Sequence, residues 1–159
     1  MKKRVCMLSL SGFIVILDQL TKYLVNVFQP NMVVIPGFFN LTYIKNAGAA
    51  FGIFQGKQPF LVGVSLLAMG LLLFLLFHER QEKTGLLLAL ALILGGTCGN
   101  LIDRIRSGMV IDFLLFYIKQ YQWPAFNVAD SSISIGVGIL ILVTLLEGRK
   151  EKESQERCE

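Results

Sequence analysis

Two aspartates, Asp112 and Asp130, are the residues of this sequence with the strongest claim to chemistry. Asp112 lies in the apolar run VIDFLLF, which offers it no obvious partner, and Asp130 precedes the apolar segment SSISIGVGILI. Two carboxyls at one site cannot both ionise easily, so they share a proton. One can then activate water while the other, protonated, polarises a carbonyl and later protonates the leaving amine. This is aspartic-protease chemistry, although two aspartates also suit a transporter or a metal site.

Other charged residues are expected at the same depth. Asp18 and Lys22 are spaced i, i+4 with the acid first, which is the favourable order for an ion pair. Asp18 lies 14 residues beyond Arg4, which is ~21 Å of helix and places it in the outer leaflet of a membrane. Asp103 and Arg104 close a long apolar segment. Ionisable groups at membrane depth are functional candidates by default.

Each of these groups also has a purely structural interpretation. Asp130 can serve as an N-cap, because Asp is preferred at that position. Asp103 with Arg104 or Arg106 can be an ordinary interfacial ion pair. Asp18 and Lys22 can simply neutralise each other at a helix end. Gly95 and Gly99 form a small-xxx-small pattern that favours helix packing over catalysis.

The elements that must position these residues are membrane spans. The chain is 54% hydrophobic and only 16% charged, whereas soluble domains carry about 25% charged residues. Residues 60–77 and 86–102 contain no charged side chain, and about 20 apolar residues cross a bilayer core. We therefore predict a membrane all-α bundle of four transmembrane helices in one domain, residues 1–159. The predicted helices cover about 5–28, 59–78, 86–105 and 131–147.

The two connections on the outer side, about residues 29–58 and 106–130, are expected to carry structure of their own. The first has β-branched and aromatic runs around a Pro36–Gly37 turn signal, which predicts short strands. Residues 110–115 also have strand character, with Val110, Asp112 and Leu114 on one face. An open sheet edge cannot face hydrocarbon, so these strands must lie at the interface or against protein.

Basic residues predict the orientation. They cluster before the first helix, in the second connection and after the fourth helix, so both termini are predicted to be cytoplasmic. The net charge of +4 reflects this topology, and no nucleic-acid partner is expected. The three cysteines do not suggest a disulfide framework. His78 has no acid or thiol cluster near it, so we predict no metal site, and no cofactor is expected.

Five blocks of this sequence, in order, resemble a known family. They are DQLTK (18–22), NAGAAF (46–51), GNLIDR (99–104), VIDF (110–113) and FNVAD (126–130). The blocks and the four spans resemble the lipoprotein signal peptidases, or signal peptidase II, of bacteria. The resemblance covers nearly the whole chain, except for the tail after Leu146, which carries no motif.

The resemblance implies an aspartyl endopeptidase of the bacterial cytoplasmic membrane, with its active site on the extracytoplasmic side beside a small β-cradle. Such an enzyme, here expected as a monomer among membrane lipids, removes signal peptides from diacylglyceryl-modified prolipoproteins, cutting just before the lipidated Cys. By motif position, Asp112 and Asp130 would be the catalytic pair. The implied supporting residues are Asp18, Lys22, Asn46, Gly48, Asn100, Asp103, Arg104, Asn127 and Ala129.

Three other classes of protein remain open from the residues themselves. A four-helix small-molecule exporter would also have few charges, but it would more naturally place its key acid mid-span. A lipid-headgroup transferase would need acids spaced to hold Mg²⁺ between phosphates. A structural membrane protein would fit if both aspartates were only helix caps. Metal dependence and peptide cleavage would separate these classes.

Overall fold

Four long helices and a small sheet make up the computed structural model, which describes residues 2–49, 52–79 and 83–156. The helices are α1 (Lys2–Phe28), α2 (Gln58–His78), α3 (Thr84–Ser107) and α4 (Val128–Glu156). All four are long and apolar enough to cross a membrane. The predicted bundle of four apolar helices is thus confirmed. Arg80 and Arg157, used in the orientation argument, lie outside the described residues.

Helix α3 is the centre of the bundle. Just over half of its most apolar stretch (56%) is buried inside the protein, against 22% or less in the other three helices. A leucine cluster forms the core between α2 and α3: Leu72, Leu76, Leu87, Leu90 and Leu94. The outer surfaces of α1, α2 and α4 carry exposed large apolar side chains, as expected where lipid replaces water as the solvent.

The sheet is antiparallel, with strand order β1-β2-β3-β4. Its strands are β1 (Met32–Ile35), β2 (Phe39–Asn46), β3 (Val110–Ile118) and the two-residue β4 (Tyr121–Gln122). The Pro36–Gly37 turn joins β1 to β2, and β3 covers the segment that was predicted to be a strand. The predicted small sheet is therefore confirmed, while its position relative to the two sides of the membrane stays a prediction.

The pairing of β2 with β3 brings distant parts of the chain together. Ile44 lies opposite Asp112, and Asn46 lies opposite Val110. The two strands are separated in sequence by helices α2 and α3, so this contact is a tertiary one that joins the first and third connections. As a result, the start of the NAGAAF block and the start of the VIDF block lie at the same end of the paired strands β2 and β3. Ala50 and Phe51 of the first block lie outside the described residues.

Helix α4 starts earlier than predicted, at Val128 instead of residue 131. The prediction treated Asp130 as the residue before the helix, because Asp is a preferred cap. In the structure Asn127 occupies that position and Asp130 lies within the first turn. The interpretation of Asp130 as the N-cap is therefore wrong, because a second capping residue precedes it by three positions.

Candidate active site

A cavity of about 1000 Å³ lies where the sheet meets the ends of α3 and α4. Asp112 and Asp130 both line it, together with Asn46, Asn100 and Arg104. Strand β3 contributes the first acid and the first turn of α4 contributes the second. The two aspartates that sequence reasoning paired for chemistry thus face one space, although they belong to different elements.

Asp112 is a buried carboxyl with a hydrogen bond to each oxygen. Only 3% of the residue is exposed. Its Oδ1 accepts from Nδ2 of Asn127 at 2.8 Å, and its Oδ2 accepts from Nδ2 of Asn46 at 3.0 Å. Burial raises the pKa of Asp112 from 3.8 to about 7, since desolvation disfavours the charged form, and the negative charge of Asp130 adds to the rise. The Asn46 hydrogen bond acts in the opposite direction.

Asp130 is held by a reciprocal cap at the start of α4. Its backbone N–H donates to Oδ1 of Asn127 at 2.9 Å, and its own Oδ2 accepts from the backbone N–H of Asn127 at 3.2 Å. This is a capping box, in which the residue before the helix and the third residue of the helix satisfy each other's free N–H groups. Oδ1 of Asp130 accepts a further bond from Nδ2 of Asn100 at 2.7 Å.

Two asparagine amides connect the carboxyls. Asn127 donates to Asp112 and also to Oδ1 of Asn100, at 3.3 Å. Asn100 in turn donates to Asp130. Within the described part of the chain, no hydrogen bond joins Asp112 directly to Asp130. The two acids are therefore linked through neutral amides and both face the cavity.

Lys22 fixes the orientation of the Asn100 amide. Its Nζ lies 2.8 Å from Asp18, 2.8 Å from Asp103 and 2.9 Å from Oδ1 of Asn100. An ammonium group has three donors, and these three acceptors match them. Since Oδ1 of Asn100 must face the cation, its NH₂ group is directed at Asp130.

The surroundings of Lys22 differ from the prediction in two respects. Lys22 is only 2% exposed and Asp18 is fully buried, so the pair lies between helices instead of at an exposed helix end. Asp103 pairs with Lys22, and among the described residues it forms no ion pair with Arg104 or Arg106. Sequence spacing could not show this, because the contact joins α1 to α3.

Asp18 also fixes the start of α4. Its Oδ1 accepts from the backbone N–H of Ala129 at 2.9 Å. Ala129 is fully buried, and a Cβ on Gly99 would lie 2.6 Å from Oδ2 of Asp18 and 3.3 Å from Cβ of Ala129. The small residues at these positions permit the close approach of three helices. Gly95, packed against Ser11 and Ile14 of α1, confirms the helix-packing interpretation of the glycine pair.

Gln19 was not among the predicted site residues. Its Nε2 donates to Oδ1 of Asp103 at 3.0 Å and to the carbonyl of Gly99 at 3.2 Å. The signal that could have identified it is its position as a polar amide within an apolar span, next to Asp18. Gln19 therefore ties α1 to α3 beside the ion pair.

Gly48 is buried behind Asn46, and Arg104 lines the cavity. The N–H of Gly48 donates to Oδ1 of Asn46 at 2.9 Å, which leaves the NH₂ of Asn46 directed at Asp112. A Cβ on Gly48 would lie 2.7 Å from the carbonyl of Ile53, so only glycine fits. Nη2 of Arg104 contacts the carbonyl of Gly48 at 3.4 Å. Arg104 thus lines the same cavity as both carboxyls.

Comparison with known proteins identifies the family of this chain. A sequence profile described as Signal peptidase (SPase) II matches residues 10–146. The chain belongs to the signal peptidase II family. It is 45% identical to the lipoprotein signal peptidase of Syntrophus aciditrophicus, with 95% of this chain and 98% of the relative covered. It is 44% identical to that of Bacillus pumilus, with 87% and 91% covered.

A solved structure of a bacterial membrane enzyme has the same fold as this signal peptidase II family member. The TM-score is 0.87 at 35% identity, and the match covers 93% of this chain and 92% of the other. The resemblance predicted from the five sequence blocks is confirmed. With its four apolar helices, this chain is a multi-pass membrane peptidase.

Proposed function

We propose that this peptidase is an aspartic endopeptidase that removes signal peptides from diacylglyceryl-modified prolipoproteins, cutting just before the lipidated Cys. Relatives named lipoprotein signal peptidase support the substrate class. The observation that carries the mechanism is the single cavity lined by Asp112 and Asp130. Both carboxyls are oriented by amides, which leaves them available to a water molecule and a peptide bond.

Asp112 is the carboxyl that holds the proton in the free enzyme. It is the more deeply buried acid, and its pKa of about 7 keeps it protonated below neutral pH. A protonated carboxyl can donate a hydrogen bond to the carbonyl oxygen of the scissile peptide, which makes the carbonyl carbon more electrophilic. Arg104 lies beside the cavity and adds positive charge where the oxygen becomes negative.

Asp130 is the general base. Its charge is stabilised by the N-terminus of α4, by the N–H of Asn127 and by the amide of Asn100. It takes a proton from water as the oxygen attacks the carbonyl carbon, while Asp112 gives its proton to the carbonyl oxygen. The tetrahedral diol then collapses: Asp130 protonates the leaving nitrogen, the C–N bond breaks, and a hydroxyl proton returns to Asp112.

The lipid on the substrate positions the scissile bond. The cavity lies at the ends of α3 and α4, next to the sheet, and the ends of apolar spans are expected near the bilayer interface. A diacylglyceryl group inserts its chains into the bilayer with roughly 0.8 kcal/mol per buried CH₂ and so holds the Cys near headgroup level. We place this site on the extracytoplasmic side of the cytoplasmic membrane, with both termini inside. A monomer suffices, because one chain supplies both carboxyls.

The decisive test is cleavage by the purified full chain in detergent or lipid, with a chelator present. The substrates are one prolipoprotein segment with diacylglyceryl-Cys and the same segment without lipid, and mass analysis identifies the products. We expect cleavage just before the lipidated Cys, and little cleavage of the unmodified segment. Equal rates for both segments would contradict positioning by the lipid, and loss of activity with the chelator would contradict a metal-free mechanism.

Asp112→Asn and Asp130→Asn test the two carboxyls under the same conditions. Each variant keeps its size and one of the two hydrogen bonds that the carboxyl accepts, so the protein should still insert, but cleavage should be abolished. An Asn side chain at this position can still accept from the backbone N–H of Asn127, so an Asp130→Asn variant with near-normal cleavage would reduce that residue to a structural part of α4. Near-normal cleavage by the Asp112→Asn variant would likewise show that Asp112 is not catalytic.

A further inference from the structure

A second cleft, of about 340 Å³, lies on the opposite face of β3 from the catalytic cavity. Ile111 lines this cleft, whereas its neighbours Val110 and Asp112 line the larger cavity, since successive strand residues point to opposite faces. The other walls are the last turns of α1 and the end of α3. Both helices end here, at Phe28 and Ser107, so the cleft lies at the level of the headgroups.

The rim of the cleft carries two cations without acidic partners. Lys45 and Arg106 are both exposed and both line the cleft. Neither forms a hydrogen bond or an ion pair with any residue in the described ranges, and Lys45 only faces the ring of Tyr43 at 5.8 Å. The acid of the cleft, Asp103, is already paired with Lys22 at the floor. The cleft therefore presents unmatched positive charge.

Asn26 adds a directed neutral donor. Its Oδ1 accepts from the hydroxyl of Tyr43 at 2.8 Å, so its NH₂ group is left to bind a ligand at the cleft. Beside it, α1 presents exposed apolar residues such as Leu20 and Val27 toward the surroundings. A group that combines a negative charge, polar oxygens and attached hydrocarbon matches this set of neighbours.

We infer that this cleft binds the phosphate of an anionic phospholipid headgroup, with Lys45 and Arg106 as the charged contacts. At headgroup depth, phosphate is the anion that comes with acyl chains, and a Lys/Arg pair with an amide donor satisfies its oxygens. The site is also connected to the catalytic one. Lys45 lines both cavities, and Lys22 at the floor of the cleft orients Asn100. Bound lipid thus stabilises the shell around Asp130.

Thermal stability of the full chain in micelles of a non-ionic detergent tests this inference without any use of peptidase activity. Phosphatidylglycerol should raise the Tm in a saturable manner, and phosphatidylcholine should not. In Lys45→Gln/Arg106→Gln, half-saturation should need roughly fivefold more lipid for each charge removed, from about 1 kcal/mol per basic residue near anionic lipid. Lys57→Gln/Lys119→Gln is the matched control, because it removes two outer-side charges that line neither cavity.

An equal loss in the control variant would show diffuse surface charge and would overturn the site. An equal rise in Tm with inorganic phosphate alone would overturn the lipid as the ligand. If the double variant does not fold, Arg106→Gln alone carries the test, because that side chain is exposed. Lipid binding is measured apart from cleavage, so a chain that cleaves substrate but does not bind lipid would overturn only the lipid site. A chain that binds lipid but cleaves no substrate would overturn only the proposed peptidase function.

Discussion

Opposing influences act on the pKa of Asp112. Burial and the nearby Asp130 raise it, while the hydrogen bonds from Asn46 and Asn127 lower it. The resulting pKa of about 7 means that Asp112 is mostly protonated below neutral pH and mostly ionised above it. The proposed aspartic mechanism needs one acid and one base at the same time, so we expect this balance to limit the pH range of cleavage.

We expect kcat/KM to fall as the pH rises above about 7, because Asp112 then loses the proton that it must donate. Asn46→Ala removes a hydrogen bond that favours the ionised form, so the pKa of Asp112 rises and the alkaline limb moves to higher pH. The measurement is the pH profile of cleavage of the lipidated segment. Asn40→Ala, on the same strand but bonded to Tyr117, is the control, and an alkaline limb that stays in place in Asn46→Ala would contradict the assignment.

Lys22 is predicted to be a major contributor to stability. Lys22→Met would leave Asp18 and Asp103 buried without their cation, and breaking a buried ion pair costs about 3–5 kcal/mol. We expect a large fall in the free energy of unfolding and in activity, measured by denaturation in detergent and by cleavage. Lys83→Met breaks the partly exposed pair with Glu147 and should cost only about 0–1 kcal/mol. Similar losses in both variants would show that burial of Lys22 has little effect.

At the scale of the elements, the contact between α1 and α3 depends on glycine. A Cβ at Gly99 would lie 2.6 Å from a carboxylate oxygen of Asp18, and Asp18 in turn holds the N–H of Ala129 at the start of α4. The packing of two spans therefore also sets the position of the helix that carries Asp130. A residue far from the reacting atoms can thus control the geometry of the site.

Gly99→Ala should destabilise the fold by about 1–3 kcal/mol through overpacking, and it should lower kcat because Asp18 is displaced. Gly70→Ala is the matched control, since a Cβ at Gly70 of α2 meets nothing within 4 Å and Ala is the better helix former. Unfolding and single-turnover cleavage would be measured for both. A fully active Gly99→Ala with unchanged stability would mean that α1 and α3 adjust freely at this contact.

At the scale of the whole molecule, the orientation in the membrane is the main expectation still to be tested. Basic residues predict that both termini are cytoplasmic, so the sheet should lie outside. With the native cysteines replaced by alanine, a cysteine at Lys57 or Gln120 should react with an impermeant thiol reagent added to intact cells. A cysteine at Gly148, near the inner end of α4, should react only after the cells are opened, and the reverse pattern would invert the topology.

The sequence by itself determined the four apolar helices and the strands of the two long connections. Long uncharged segments have few alternatives to a membrane helix, because the bilayer requires every backbone group to be bonded within the segment. The Pro36–Gly37 turn and the β-branched runs similarly indicated the strands through local preferences. Asp112 and Asp130 were recognisable because an acid in an apolar segment is unusual wherever the chain places it.

Only the tertiary structure decided how the site is held. That Lys22 reaches Asn100 and Asp103, and that Asp18 holds the N–H of Ala129, are contacts between residues far apart in sequence. The partner in an ion pair depends on which side chains another element brings close, as the pairing of Asp103 of α3 with Lys22 of α1 shows. The spacing of residues within one helix or strand fixes which side chains share a face of that element. Their partners on other elements follow from how the helices pack.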